Sequence, residues 1–580
     1  MLSIAALVPL LHLLPRASGS AAEAINEAYL PDGFSIQTFS TGHGRTRSLH
    51  KLPNGDILLV KAQSRGAERF DDSKVLLFWD DDLDGIADGV HELVPPGHDL
   101  THGIEYVVPE NSKDGKGLLL ASSDRDVFSW PYTHGDRASS LGRGSVLVEG
   151  MNARASSDDL GAYKGHWTRT LALSPGDQKY LYISVGSFGN VDVDSYRSRI
   201  RRFDLSMTET VFDFRKGEVF ADGLRNEVGL AFDINGTLWG VENGADDLRR
   251  SDLGGDIHND NPAEELNKFD GEIGTFYGYP YCFTEYDLPT YGKGRGTQWA
   301  WPRTGGYGAN WAKSDEWCRA NSRATELAMQ AHSAPLGMTF FQHSDYDAQA
   351  CAGKGTFPLE ADGDAFVGFH GSWNRDVPTG YKVVRIPLDR PGGSPNGDVY
   401  DLLAYAGRTA KWPSGVRPVD VEFDQCGRLL VSDDGTASIF TISYIDEGTP
   451  SPAAGDSNTT KPATSNTTAA AAAAASAATA AEDINTPLSS EACNDVHAAC
   501  TWLLGIGAER RATLCKNVKS FGIICIDTCA GTCQRTDGTG PLGRQKSDFE
   551  SYSSSNLATG GNTLIPILAL GVGIAIAALL

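Results

Sequence analysis

Three arginines and three histidines recur at one phase of the chain. Arg47, His102, His166, Arg225, His332 and Arg417 each stand at or just before the first of two short β-prone runs, and Asn226 follows Arg225. Arginine grips carboxylates through a planar, bidentate fork. Six such side chains in one concave place predict a small polyanionic ligand. For any single position the plainer reading is an ion pair with a structural carboxylate; the set of six favours a binding site. A second group is acidic: Asp80, Asp82, Asp84, Gly85 and Asp88 follow the one-three-five-glycine spacing of a calcium loop, with His91 where such a loop carries Glu. A solvated acidic turn is the alternative there. No Gly-x-Gly-x-x-Gly stands between a strand and a helix, so a nicotinamide site is not supported, and no carboxylate pair shows a spacing readable as glycoside hydrolysis.

The elements that must position these residues repeat six times between Ala24 and Ile445. Each unit is a β run, a glycine turn and a second, more apolar run. The first runs are Arg47–Leu49, His102–Tyr106, Arg169–Leu173, Val228–Phe232, Leu336–Phe340 and Val419–Phe423. The second are Asp56–Val60, Gly117–Ser122, Tyr180–Val185, Thr237–Val241, Ala365–Phe369 and Arg428–Val431. Asn54-Gly55, Asp114-Gly115, Asn235-Gly236, Asp362-Gly363 and Cys426-Gly427 lie between them; such glycines supply the positive φ of two-residue hairpins. Units of about 70 residues exceed the usual blade of about 40–50, and the long gap from Asp246 to Ala331 must hold inserted loops. Six hairpin units closing radially predict an all-β, six-bladed β-propeller. Inner strands of a propeller line its central channel, so the Arg/His ring belongs at the channel mouth, where a purely structural propeller would place small or apolar residues.

The chain has 580 residues, with 50 Lys+Arg against 74 Asp+Glu and a net charge of −24. That balance repels phosphate backbones and argues against nucleic-acid binding. The apolar run Ile4–Leu14, followed by small residues, predicts a signal peptide over 1–20. Residues 24–446 form the propeller, and an Ala/Ser/Thr-rich linker occupies 447–490. A cysteine module covers 491–535, a polar stalk 536–562, and an apolar tail 563–580 ends the chain. Small residues at Ser553–Asn556, a spacer and that tail have the order of a GPI-attachment signal. The expected location is secreted, tethered to the outer face of the membrane or to the cell wall. Asn235, Asn458 and Asn466 are glycosylation acceptors. Ten cysteines suit an oxidising compartment; Cys282, Cys318, Cys351 and Cys426 are even in number and could form two bridges. Cys493, Cys500, Cys515, Cys525, Cys529 and Cys533 allow fifteen pairings.

Several phrases resemble the PQQ-dependent sugar dehydrogenases of the soluble glucose and sorbosone dehydrogenase superfamily, in particular the eukaryotic pyranose dehydrogenases of the auxiliary-activity type. They are PDGFSIQTFS at Pro31, THGIEY at Thr101, GLRNEVGLAFD at Gly223, AHSAPLGMTFF at Ala331, GFHGSWNRDVPTGYKVVRIPLD at Gly368, and GVRPVDVEFD with LLVSDDG after Gly415. The resemblance implies PQQ and calcium as cofactors and a sugar hydroxyl as substrate. It puts the catalytic base on His166, in GHWTRTLAL, and an oxyanion-stabilising role on Arg225. Arg47, His102, Asn226, His370, Trp373, Asn374 and Arg417 would hold the cofactor. Gly244 and Ala245 in ENGAD would ligate calcium through backbone carbonyls, with Glu264–Asn267 nearby. The electron acceptor would be a separate haem protein or quinone, not oxygen. CNDVHAAC with KNVKSFGIICIDTCAGTC resembles the ShKT module, which implies Cys493–Cys533, Cys500–Cys525 and Cys515–Cys529. Metal binding by these thiols is the competing reading.

Two other functions compete. A propeller lactonase needs a ring of Asn, Asp and Glu around its metal, whereas this ring is Arg and His. A non-catalytic surface receptor or decoy fits the fold equally, but loss of His166 or Arg225 would then be expected, and both are present.

Overall fold

The computed structural model describes residues 20–62, 72–108, 115–151, 165–193, 197–207, 211–301 and 313–444. The expected linker, cysteine module with its pairings, stalk, tail, Asn458 and Asn466 lie outside the described residues, as does residue 1–19 of the expected signal peptide. Ser20 caps a short helix, Ala21–Glu27, through a reciprocal pair of hydrogen bonds with Glu23.

Six sheets form the six blades of a propeller, antiparallel except for a short parallel outer strand on the second and third. Their inner strands are Thr46–Lys51, Leu100–Val107, Arg169–Leu173, Glu227–Phe232, Pro335–Phe340 and Pro418–Phe423. Each contacts the next, and the sixth returns to the first, so the ring is closed. Closure is sealed from the N-terminal side: Phe34–Thr41 pairs antiparallel with Ser438–Tyr444 as the outermost strand of blade 6. All twelve expected runs are strands, with ends within two residues of those read from the sequence. The turns differ from expectation. Gly55, Gly236 and Gly427 do have positive φ, but each closes a three-residue turn, its N–H bonded to the carbonyl of Leu52, Asp233 or Asp424. A left-handed glycine serves the three-residue turn as well as the two-residue one.

Apolar residues on both faces of the strands are explained by the packing, because every blade is sandwiched between two others. Leu58, Val60 and Leu77 of blade 1 meet Leu100, Leu119 and Trp130 of blade 2, and five further clusters repeat the arrangement around the ring. The insertion within blade 4 supplies that blade's outer strands, Glu264–Lys268 and Leu327–Met329. It also carries a small hairpin, Cys282–Thr284 with Gln298–Ala300, and the helix Asp315–Asn321. Cys282–Cys318 ties that hairpin to the helix, and Cys351–Cys426 links a blade-5 loop to the blade-6 turn. The four propeller cysteines thus form two bridges.

Candidate active site at the propeller mouth

The first strand of each blade begins where the antiparallel second strand ends: Arg169 pairs with Val185, Glu227 with Glu242 and Pro418 with Asp433. Residues entering the first strand and residues leaving the second therefore share one rim. The expected ring sits there, and it divides into two walls.

The wall from blades 5, 6, 1 and 2 carries Arg47, His102, His370 and Arg417. Arg47 is buried, and its Nε donates to His102 Nδ1 at 3.3 Å, which leaves the hydrogen of neutral His102 on Nε2. Burial pushes the Arg47 pKa down to about 10 and holds that of His102 well below 6.5, the latter helped by Arg47. Asp434 bridges the group, 3.9 Å from Arg47 Nη1 and 3.7 Å from His370 Nε2. Exposed Arg417 donates through Nε to the His370 carbonyl at 3.3 Å. Beside them Arg45 lies over the Trp167 ring at 5.2 Å. The same wall carries Trp373, 75% exposed, and Asn374, which is buried with its Nδ2 lacking an acceptor among the described residues.

His370 Nδ1 donates to the Pro418 carbonyl at 3.0 Å, and burial lowers its pKa to about 4. Between pH 6.5 and 4 the unfolded chain therefore binds a proton that the folded chain refuses, so this contribution to stability is present above pH 6.5 and is lost as pH falls. The stability margin of the native chain over His370→Gln should shrink by about 2 kcal/mol between pH 7 and pH 5. Urea unfolding of both proteins at the two pH values measures it; a constant difference would contradict the assignment.

The opposite wall comes from blades 3 to 5. His166 precedes Arg169–Leu173, and its Nδ1 lies 3.1 Å from the Ser187 carbonyl and 2.9 Å from Ser187 Oγ. A carbonyl only accepts, so Nδ1 carries the hydrogen and the lone pair of the neutral ring is on Nε2. Arg225 spends all five N–H groups on protein acceptors: the Asn190 carbonyl and Oδ1, the Asn243 and Gly244 carbonyls, and Asp246 Oδ2 at 2.9 Å. His332 stands 3.7 Å from the other Asp246 oxygen and donates through Nε2 to the His258 carbonyl at 2.6 Å. Gly186 packs the group together. A Cβ there would come 2.5 Å from Asn226 Oδ1, 2.8 Å from His166 Cβ and 3.3 Å from the Arg225 carbonyl. Gly186→Ala must push the base away from Asn226; about a hundredfold loss of kcat is expected, against about 1–3 kcal/mol of stability. Steady-state kinetics beside a melting curve separates the two.

Gly244 is held on both sides: its N–H donates to Glu264 Oε2 at 2.7 Å, and its carbonyl accepts from Arg225 Nη1 at 2.6 Å. A carbonyl has two lone pairs, so one remains for a cation. The Ala245 side chain is anchored among Leu248, Phe283 and Trp301. Sequence reading missed Ser187, Asp246 and Asp434, which follow second strands by two, four and one residues, so no common spacing marks them. The Asp80 loop is an acidic turn tied to blade 6 through Arg428. Asp80 accepts from the Asp84 and Gly85 N–H groups and from Arg428 Nη2, and although Asp80, Asp82 and Asp88 lie close together, that arginine already balances the most buried of them.

A family model described as TrAA12-like matches residues 28–445. The chain belongs to that family. The PQQ-dependent sugar dehydrogenase of Hypocrea jecorina is 30% identical over 446 residues, covering 72% of this chain and 90% of that protein. The PQQ-dependent pyranose dehydrogenase of Coprinopsis cinerea is 33% identical over 304 residues, half of this chain, but the match spans only 36% of that longer protein. Among solved structures, the Trichoderma reesei family AA12 enzyme superposes with a TM-score of 0.59 at 27% identity, covering 72% of this chain and 98% of that one. The holo PQQ domain of the Coprinopsis cinerea pyranose dehydrogenase gives 0.57 at 27%, covering 72% and 97%.

The residues present fit PQQ, which carries three carboxylates and an ortho-quinone. One wall offers Arg45, Arg47 and Arg417, with Asp434 and Asp420 close to Arg47, the Asn374 Nδ2 that lacks an acceptor among the described residues, and the exposed indole of Trp373. The other wall offers carbonyl oxygen at Gly244 and a histidine lone pair.

Proposed function

We propose that the chain is a PQQ- and calcium-dependent sugar dehydrogenase that oxidises a pyranose or aldose hydroxyl to a lactone or keto-sugar. The observation that carries this reading is the His166 tautomer: a base with its lone pair on Nε2, fixed by Ser187, across the mouth from a cationic wall. Bound PQQ supplies an ortho-quinone that accepts a hydride. Arg47, Arg417, Asn374 and Trp373 would hold the cofactor by charge, hydrogen bonding and stacking, with His102 and His370 as neutral neighbours. Gly244 and Ala245 would present carbonyls to calcium. His166 Nε2 takes the sugar hydroxyl proton, and Asn226, packed against it at Gly186, orients the hydroxyl. Arg225 acts through its field and by fixing the Asn190 and Gly244 segments, since all its donors are already engaged.

Sequence signals at the two ends support secretion and a GPI tether on the outer membrane face, and Asn235 is exposed at a hairpin tip, open to glycosylation. Electrons leave to a separate non-oxygen acceptor, a haem protein or a quinone. Titration of PQQ into tail-truncated, calcium-loaded protein, followed by a dye-reduction screen of aldoses and ketoses, tests the reading. Saturable binding with sugar-dependent reduction is expected; no PQQ binding would leave the receptor alternative.

A further inference from the structure

Among the described residues, the inner strand of each blade pairs within its sheet on one side only. Its other edge turns toward the axis and the neighbouring blade, so its buried carbonyls need donors from outside the sheet. At the mouth end those donors are side chains of the preceding blade. Ser432 of blade 6 donates to the Arg47 carbonyl at 2.7 Å, Ser122 of blade 2 to the Arg169 carbonyl at 2.6 Å, and Ser184 of blade 3 to the Glu227 carbonyl at 2.5 Å. Asn243 of blade 4 serves the Pro335 carbonyl at 2.7 Å, and His370 of blade 5 serves that of Pro418. The remaining seam is closed in the opposite sense, the Leu100 N–H donating to Ser73 Oγ of blade 1 at 2.8 Å. Each partner is the first or second residue of an inner strand.

The three serines share one position. Each stands one residue before the end of its second strand: Ser122 in Lys116–Ser123, Ser184 in Tyr180–Val185 and Ser432 in Leu429–Asp433. All three are buried. Val60, Val241 and Gly368 occupy that place in the other blades. Ser122 also accepts the Gly103 N–H at 2.9 Å, and Ser432 the Asp420 N–H at 3.0 Å. Both N–H groups belong to stretches where the register between the first two strands shifts, so one hydroxyl mends its own blade and ties down the next. The blades stitched by serine are 1, 3 and 4, which carry Arg47, His166 and Arg225. The stitch falls on Arg47 itself and on Glu227, two residues after Arg225. In blade 3 it falls on Arg169, whose Nη1 donates back to the His166 carbonyl at 2.9 Å.

We infer that Ser432, Ser122 and Ser184 are positioning residues of the candidate active site. Each fixes, from the preceding blade, the backbone that carries Arg47, His166 or Arg225. The consequence for turnover rests on the dehydrogenase reading: Ser432 then governs the hold on the cofactor, and Ser122 and Ser184 govern the transfer step.

The test compares Ser432→Ala, Ser122→Ala and Ser184→Ala with Thr441→Val. The last removes a buried hydroxyl that donates to the Gly85 carbonyl at 2.7 Å, away from the mouth. All four should lower Tm, because each frees a buried acceptor. Nuclear magnetic resonance of the PQQ-free chain with isotope-labelled histidines separates positioning from stability. Ser432→Ala should shift the His102 ring signals, since Arg47 Nε donates to that ring, and leave those of His166. Ser122→Ala and Ser184→Ala should shift His166, through Arg169 and through Asn226 at Gly186, and leave His102. Thr441→Val should shift neither, and Ser432→Thr, which keeps the hydroxyl, should restore the His102 signals. With PQQ bound, Ser432→Ala should raise the PQQ Kd about tenfold at unchanged kcat, and the other two serine variants should lower kcat about tenfold at unchanged Kd. Serine variants that lose Tm but match Thr441→Val in both readouts would overturn the inference. A wild type that binds no PQQ would overturn the dehydrogenase reading instead, and the histidine signals would still decide the positioning role.

Discussion

His166→Ala should lower kcat with sugar by about 10²–10⁴-fold while PQQ still binds, because positioned proton transfer contributes on that order. The structure makes the expectation specific. The ring is held through Nδ1 against Ser187, whose hydroxyl in turn donates to the Gly189 carbonyl at 2.6 Å. Removing the imidazole deletes the Nε2 lone pair and leaves the Arg47 and Arg417 side chains in place. The loss should therefore appear in kcat and not in PQQ affinity. Ser187→Ala is the graded companion: the Ser187 carbonyl still fixes the tautomer, so a loss much smaller than that of His166→Ala is expected. Single-turnover bleaching of the cofactor on mixing with sugar reads the step directly. Equal rates for His166→Ala and wild type would remove the base from this residue and with it the mechanism.

The inner-strand phase was legible because it is local. Each first strand is announced by its short β-prone run and by the glycine turn after it, so Arg47, His102, His166 and Arg225 could be placed on one rim by counting along a repeat. Asp246 and Asp434 could not, since they follow second strands in loops of unequal length, with no shared spacing to mark them. Their effect is nevertheless large: Asp434 couples Arg47 to His370, and Asp246 couples Arg225 to His332. The seam serines were invisible for a different reason. Ser122, Ser184 and Ser432 meet carbonyls 47, 43 and 385 positions away in the chain, so only three-dimensional packing brings them together. Arg225 shows the remaining limit. Its position was read correctly, but whether a guanidinium faces a ligand or the protein depends on backbone carbonyls, which every sequence has.

That commitment of Arg225 makes Arg225→Ala the second large effect, and a structural one. The side chain is buried, and its removal leaves the Asp246 carboxylate, only 12% exposed, without its guanidinium. The backbone carbonyls at Asn243 and Gly244 lose their Arg225 donor as well, and each Asn190 oxygen loses one of its two donors, keeping the Tyr279 hydroxyl or the Asp246 N–H. Breaking a buried pair from one side costs about 3–5 kcal/mol, and the freed acceptors add to it. Arg225→Lys keeps the charge but offers three donors without the planar fork, so it should recover part of the stability and little of the geometry. Because Asn190 and Ser187 belong to one loop, the base loses its support too, and kcat should fall in both variants even where the fold survives. Guanidinium unfolding of the PQQ-free proteins checks the first part and single-turnover kinetics the second. If Arg225→Ala unfolded at the wild-type midpoint, the five hydrogen bonds would not be holding this wall, and Arg225 would be left to act on bound ligand alone.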